Sequence, residues 1–318
     1  MRVVDYKGAV DAAASLEIQL PQALHALHTT SEKELSRNRN AWVHVALTLA
    51  LLPYSPDVQA LNSSPRAYAT RVQARNGATM VLYLIRPKNQ PKPTAIMCFK
   101  GSTVASPNAP LFSDWITNFN FLRNHAHLRR MFRYYPKVSA HPGFVAYADE
   151  IINEMRMQRL PRDVVRCLRL PQRGRNIWDM LRETHLFHHI LCIGHSLGGA
   201  MATLLAISLV TDTKSTKNSI QPHLITFGCP RVGNRALTLL QTATVRPIGG
   251  LRCFNAFDLV PFVGHHVVTL RPAAVHAGLA VRMCNGALTR LNPFRNHLDY
   301  RVSCRGNITV YRFPSIVV

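Results

Sequence analysis

The sequence predicts an α/β protein with a largely parallel sheet, and three stretches carry that expectation. His189 to Ala200 reads as a short buried strand, Ile190 to Ile193, that passes through the tight turn Gly194-His195-Ser196-Leu197-Gly198 into a helix from about Gly199 to Val210. His223 to Phe227 is a second apolar, β-prone run, followed by Gly228-Cys229-Pro230-Arg231-Val232-Gly233-Asn234 and a helix from about Arg235 to Thr242. Leu251 to Ala256 is a third, and it delivers Asp258. Strands alternating with helices at this spacing lie parallel, with helices over both faces of the sheet.

The remaining elements follow in chain order. Residues 1 to about 40 read as partly helical and amphipathic, with Ser31 to Glu34 a possible cap. Ala41 to Leu52 is a near-apolar helix interrupted by His44 and stopped by Pro53 and Pro56. Arg71 to Arg75, Asn76-Gly77 and Met80 to Ile85 form a hairpin signal, because Asn-Gly supplies the positive φ that tight turns require. Thr94 to Phe99 is a short buried strand ending at Lys100-Gly101-Ser102. In the stretch after it, Ser113 caps a helix that carries Trp115, Ile116, Phe119 and Leu122 at helical spacing. Leu128, Met131 and Phe132 are then interleaved with Arg129, Arg130 and Arg133, which suits either a core-packed helix or an apolar flap with a basic rim. His141-Pro142-Gly143-Phe144 leads into a helix from Val145 to about Arg159. Arg156 to Arg175 holds seven arginines, broken by Pro161 and Pro171, and reads as a solvated face or loop. Ile308 to Phe313 closes the chain as an edge strand. No internal repeat or low-complexity tract is present.

Composition bounds the classes. With 318 residues, 47% of them hydrophobic, the chain is long enough for one large α/β domain or two small ones with a sizeable core, and global disorder is not expected. The apolar run at 41–52 is too short to span a bilayer, and the N-terminus has no signal-like apolar region, so an intracellular location, cytoplasmic or peripheral to a membrane, is expected. Seven cysteines with no paired spacing read as reduced thiols, with Cys98, Cys192 and Cys253 in candidate core strands. The formal charge of +22, mostly from arginine, is a solvated surface or marks a phosphate-bearing partner, an anionic membrane or nucleic acid. The Arg-rich stretch has no aromatic interleaving for base stacking and no recognised nucleic-acid-binding signature.

Chemistry concentrates on Ser196. A serine held on a strained strand-to-helix bend exposes its hydroxyl at the sheet's carboxyl edge, and the next backbone N–H, that of Leu197, stands at a helix N-terminus where it can hold an oxyanion. The hydroxyl needs an imidazole to take its proton and a carboxylate to orient the imidazole. Asp258 closes a strand after the serine, and after Asp212 the only other carboxylate is Asp299. Four histidines follow: His265, His266, His276 and His297. His297 sits at a loop-to-helix start near the C-terminus, a position from which it can swing back over the sheet edge. Ser102, after a strand end and a glycine, is the candidate second oxyanion donor. No metal-ligand cluster is seen, since His125, His127, His188 and His189 lack partners at useful spacing.

Gly194 to Ala200, together with Phe99-Lys100-Gly101-Ser102, His141 to Phe144, Thr226 to Asn234 and Asp258-Leu259-Val260-Pro261, resembles the class 3 lipase family of fungal-lipase-like α/β-hydrolases. The resemblance covers about residues 94 to 261 and continues weakly to about 300. It implies an α/β-hydrolase fold, a mostly parallel central sheet with helices on both faces and a lid-like insertion. The single domain would run over 1–318, with an N-terminal helical segment at 1–60, a candidate lid at 103–140 and an Arg-rich insertion at 156–185. It implies a serine carboxylic-ester hydrolase acting on lipids, of acylglycerol lipase or phospholipase A type, with no cofactor. It also implies Ser196 as nucleophile, Asp258 as acid, His297 as base, Ser102 and Leu197 as oxyanion donors, and Trp115, Phe119 and Leu122 on the lid side. The chain departs from the family in having Lys100 where Arg is usual, in longer flap and 156–175 regions, and in a 39-residue gap between Asp258 and His297. The expected partners are a lipid ester and an anionic lipid surface, with nucleic acid as the alternative. The rival function is a catalytically silent member that binds lipid or nucleic acid through its basic surface.

Overall fold

Five largely apolar strands run side by side through the middle of the molecule. The computed structural model describes residues 23, 39–55, 58, 62, 65–87, 90–101, 125–171, 174–211, 221–255, 258, 260–262, 274–284 and 307–311. An eight-stranded sheet comprises β1 (Ala67–Gln73), β2 (Thr79–Ile85), β3 (Thr94–Phe99), β4 (His189–His195), β5 (His223–Phe227), β7 (Arg246–Asn255), β9 (Leu279–Cys284) and β10 (Asn307–Tyr311), paired in that order. The central strands β3, β4, β5, β7 and β9 are parallel, and β1, β2 and β10 are added antiparallel at the two edges. A separate two-stranded ribbon joins β6 (Gly233–Asn234) to β8 (Ala274–Val275).

The continuous apolar runs have a physical reason. Every residue of β3 and β4 is buried, because helices cover both sides of a parallel sheet and neither set of alternating side chains reaches water. Ala95, Met97, Phe99, Ile190 and Cys192 point into one core, and Ile96, Cys98, Leu191 and Ile193 into the other. The first core is filled by α3 (Pro142–Met157), α6 (Leu197–Thr211) and α7 (Arg235–Thr244). The second is closed by α1 (Arg39–Leu51), whose Trp42, Leu49 and Ala50 are fully buried. All fifteen residues of α6 are buried, so it is an internal helix that needs no polar face. Cys98, Cys192 and Cys253 lie in β3, β4 and β7 with free, buried thiols, as their strand positions predict. Burial pushes the Cys98 and Cys192 thiols well above the usual range.

Several elements differ in extent from the sequence expectation. Helix α1 ends at Leu51, before Pro53 as expected, and the chain tightens into a 3-10 turn, Leu52–Tyr54, which tolerates proline near its start. Helix α3 begins at Pro142 rather than Val145, because proline suits the first helical position and His141 Nδ1 accepts from the Gly143 N–H at 3.2 Å. Strand β7 begins at Arg246, five residues earlier than expected, through a register shift against β5 at His223/Ile225. The Arg-rich stretch is not a plain loop: it carries α4 (Arg162–Cys167), and α5 (Ile177–Arg182) follows, with Asn176 capping α5 by accepting from the Asp179 N–H. In α2 (His125–Met131) and the turn after it, Met131 and Phe132 are buried in the main core. Those two residues of the interleaved set thus form a core-packed face. The helix expected after Ser113 and the cap at Ser31 lie outside the described residues.

The crossing of β4 and α6 sets the tightest tolerance in the fold. A Cβ on Gly198 would overlap the Phe99 carbonyl oxygen and sit 2.9 Å from the Lys100 carbonyl carbon. Gly198→Ala must therefore displace the end of β3. It is expected to lower stability by about 1–3 kcal/mol, the usual range for overpacking a tight site, read as a fall in the urea midpoint at constant m-value.

Candidate active site

Ser196 sits between β4 and α6 with φ 57°, one of two described non-glycine residues in the left-handed region. That conformation is costly for an L-residue and persists only where its surroundings impose it. Two backbone bonds do so here: the Ser196 N–H donates to the Phe227 carbonyl at 2.8 Å, and the Gly199 N–H donates to the Ser196 carbonyl at 2.9 Å. Glycines then permit the close crossing. A Cβ on Gly194 would overlap the Gly198 carbonyl, and Gly198 itself lies against the end of β3. The serine is 4% exposed at the carboxyl edge of the parallel strands. Leu197 follows as the first residue of α6, so its N–H belongs to the set of helix-start donors that lack an acceptor four residues back.

The loop after β3 lies over the serine. A Cβ on Gly101 would stand 3.2 Å from Ser196 Cβ and 2.5 Å from the His195 carbonyl oxygen. Only glycine fits there, which explains the Gly-Ser pair that marked Ser102 in the sequence. Ser102 itself lies outside the described residues, and so do Trp115, Phe119, Leu122, His265, His266 and His297. The structure therefore brings Ser196, Leu197 and Gly101 together and seats Asp258 along the same sheet edge.

Tyr54 is a residue that sequence reasoning missed. Its hydroxyl accepts from the Gly101 N–H at 2.8 Å and lies 3.5 Å from His195 Nδ1, so one phenol touches both the β3 loop and the serine turn. The 3-10 turn that carries it is strapped to β1, since Arg71 donates to the carbonyls of Pro53, at 3.2 Å, and of Ser55. Lys100 Nζ stands 5.8 Å from the Tyr54 ring centroid. Partial burial, and then the Arg71 guanidinium nearby, holds the Lys100 ammonium below its ordinary pKa. No sequence motif announces Tyr54, because its partners are 47 and 141 residues away.

Asp258 is fully buried just past the end of β7. Its N–H donates to the Asn255 carbonyl at 3.2 Å, and its Oδ1 accepts from the Val260 N–H at 2.9 Å. The Val260 N–H thus helps to fix the buried carboxylate in position. β7 is two strands from β4, so the carboxylate stands roughly 10 Å along the sheet edge from the serine strand. An imidazole with a hydrogen bond at each end fills a gap of that order.

His276, one of the four candidate bases, is tied elsewhere. Its Nε2 is 2.5 Å from the Pro261 carbonyl oxygen, in the 3-10 turn Val260–Phe262 that follows Asp258. Burial, followed by the positive charge of Arg252, lowers its pKa to about 3. A neutral ring with its proton on Nε2 donates to that carbonyl and secures the acid's turn. Among the described residues no group of metal-ligating side chains converges, and no helix is long and apolar enough to cross a membrane.

Comparison with known proteins bears on the family and the fold. The family model described as Lipase (class 3) matches residues 96–267. A lipase from Rhizopus microsporus var. chinensis shares 22% identity over 81% of this chain and 79% of its own, with a TM-score of 0.49. Lip2 lipase from Yarrowia lipolytica shares 17% identity, covering 79% of this chain and 84% of its own, at a TM-score of 0.50. A triacylglycerol lipase described as having a serine-protease triad at its catalytic centre shares 22% identity over 80% and 81%, also at 0.50. The last two have the same fold as this chain. No curated protein sequence matches it.

His276 makes the site's stability sensitive to acid. Because its folded pKa lies below the ordinary 6.5, the unfolded chain binds the extra proton first, and stability falls as pH drops from about 6.5 toward 3. His276→Gln is expected to flatten the dependence of the thermal midpoint on pH over that window, measured against wild type in parallel melts.

Proposed function

The chain belongs to the class 3 lipase family of carboxylic ester hydrolases, and we propose that it cleaves lipid esters through a seryl acyl-enzyme formed on Ser196. The observation that carries this reading is the serine's positive φ beneath the Gly101 loop, with a buried aspartate at the end of β7. In the proposed reaction His297 takes the Ser196 proton as Oγ attacks the ester carbonyl, and Asp258 orients the imidazole. Backbone and hydroxyl donors of Ser102, with the Leu197 N–H, hold the tetrahedral oxyanion. Collapse expels the alcohol, which takes its proton from the imidazolium. Water, activated by the same histidine, then releases the fatty acid and restores the serine.

Acylglycerols and phospholipids are the proposed substrate class, with Trp115, Phe119 and Leu122 on the substrate-facing flap and contact with an anionic lipid surface. Fungal lipases of the same fold include a triacylglycerol lipase, which favours an acylglycerol. The +22 charge favours an anionic phospholipid instead, and a lipid-class panel with and without anionic vesicles separates the two.

Ser196→Ala is expected to lower hydrolysis of a short-chain nitrophenyl ester by at least about three orders of magnitude while the melting profile is retained. Equal rates for the two proteins would overturn the enzymatic reading. His297→Ala is expected to be as severe, with His265→Ala and His266→Ala close to wild type; the opposite pattern reassigns the base.

Tyr54→Phe removes the acceptor of the Gly101 N–H without changing the ring. Leaving a buried donor unpaired costs about 1–3 kcal/mol, and here the loss falls on the loop that leads to Ser102. Steady-state kinetics should show kcat lowered by about tenfold or more with KM little changed.

A further inference from the structure

The arginines of 156–169 gather at the end of the molecule opposite Ser196. Helix α3 starts near the serine's edge, where the His141 N–H donates to the Val232 carbonyl, and its 16 residues run roughly 24 Å toward the strand N-termini. There the chain turns into α4. Its location follows from Arg86, just beyond the end of β2, which donates from Nε to the Cys167 carbonyl at 3.2 Å; at the same edge His188, just before β4, donates to the Pro93 carbonyl at 2.7 Å. Ile85 pairs with Thr94, the first residue of β3, so both bonds mark the N-terminal edge of the parallel strands. Ser196 follows the last residue of β4, a strand length of roughly 23 Å away.

Arg156, Arg159, Arg162, Arg166 and Arg169 are all exposed. Asp163 is the single carboxylate between residues 155 and 171. Among the described residues none of the five arginines has an ion pair, whereas the neighbouring Arg175 and Arg182 pair with Glu183 and Asp179. Arg156 reaches only the Asn153 amide oxygen, at 3.4 Å. Arg162 and Arg166 are a like-charge pair one helical turn apart in α4, an arrangement that weakens a helix by a few tenths of a kcal/mol. A guanidinium fork suits bidentate contact with a phosphate, and five of them stand exposed on one short, acid-poor stretch.

We propose that this end face docks the sugar-phosphate backbone of a nucleic-acid duplex, leaving the serine edge open on the far side. A bilayer seated here would point Ser196 at bulk water, which argues against a lipid surface; that exclusion rests on Ser196 being the nucleophile, whereas the binding surface does not. A duplex rather than a single strand fits because the stretch has no aromatic side chains for base stacking. Phosphate contacts of this kind bind without reading sequence.

The test measures binding of the full chain to a short mixed-sequence DNA duplex by anisotropy across a salt series. Five phosphate contacts predict a slope of log K against log salt of about −4 to −5. The variant R156Q/R159Q/R162Q/R166Q/R169Q is expected to lose at least about tenfold in affinity and most of that slope, with nitrophenyl ester hydrolysis unchanged as proof of folding. A control, R75Q/R129Q/K137Q/R235Q/R282Q, removes the same charge from other exposed positions and is expected to bind like wild type. Should the fivefold variant not fold, R162Q/R166Q alone is expected to reduce the slope by about 2. The proposal is overturned by equal losses in variant and control, or by binding to phosphatidylserine vesicles or polyglutamate without binding to the duplex. Failure of Ser196→Ala to abolish hydrolysis would overturn the catalytic reading and leave the duplex measurement standing.

Discussion

The close crossing of β4, α6 and the end of β3 is the constraint on which the site depends. Gly194 lies against the Gly198 carbonyl, and Gly198 lies against the Phe99 carbonyl, so three backbones meet where side chains would normally keep them apart. Close packing of this kind resists relaxation, and the strain appears at Ser196, whose φ of 57° no neighbouring residue of β4 or α6 shares. The same crossing draws Gly101 over the serine. Ser196, the helix-start donor and Gly101 are therefore brought together by one packing event.

The site's outer supports come from distant parts of the chain and work through backbone groups. Tyr54 accepts from the Gly101 N–H, Arg71 holds the turn that carries Tyr54, and His276 meets the Pro261 carbonyl beside the acid's turn. In each case a polar side chain in a poorly solvated place satisfies a main-chain group, as burial requires. The exposed arginines of 156–169 stand at the opposite edge of the sheet from Ser196.

Much of this was legible beforehand. Ser196 and Asp258 could be found because the chemistry demands a glycine-flanked serine after one strand and a carboxylate after another, and these signatures are local. The strands β3, β4 and β5 could be found because runs apolar on both faces have few other uses. Boundaries were harder. The start of α3 depends on a histidine cap, and that of β7 on a register shift against β5, neither of which periodicity reports. The short helices α4 and α5 sit among arginines and prolines whose propensities conflict. Met131 and Phe132 fit a flap as well as a core by pattern, and packing against the main core settled them.

By itself, the sequence determined the α/β class, the motif order and the candidate site residues Ser196 and Asp258, because those are read from residue type and short spacing. Tertiary structure alone decided that Tyr54 joins the β3 loop to the serine turn, that His276 is occupied by a carbonyl, and that the arginines stand at the far edge from Ser196. Each of these is a relation between residues far apart in the chain. Such relations arise only when the sheet order brings strand ends together, and no local pattern encodes them.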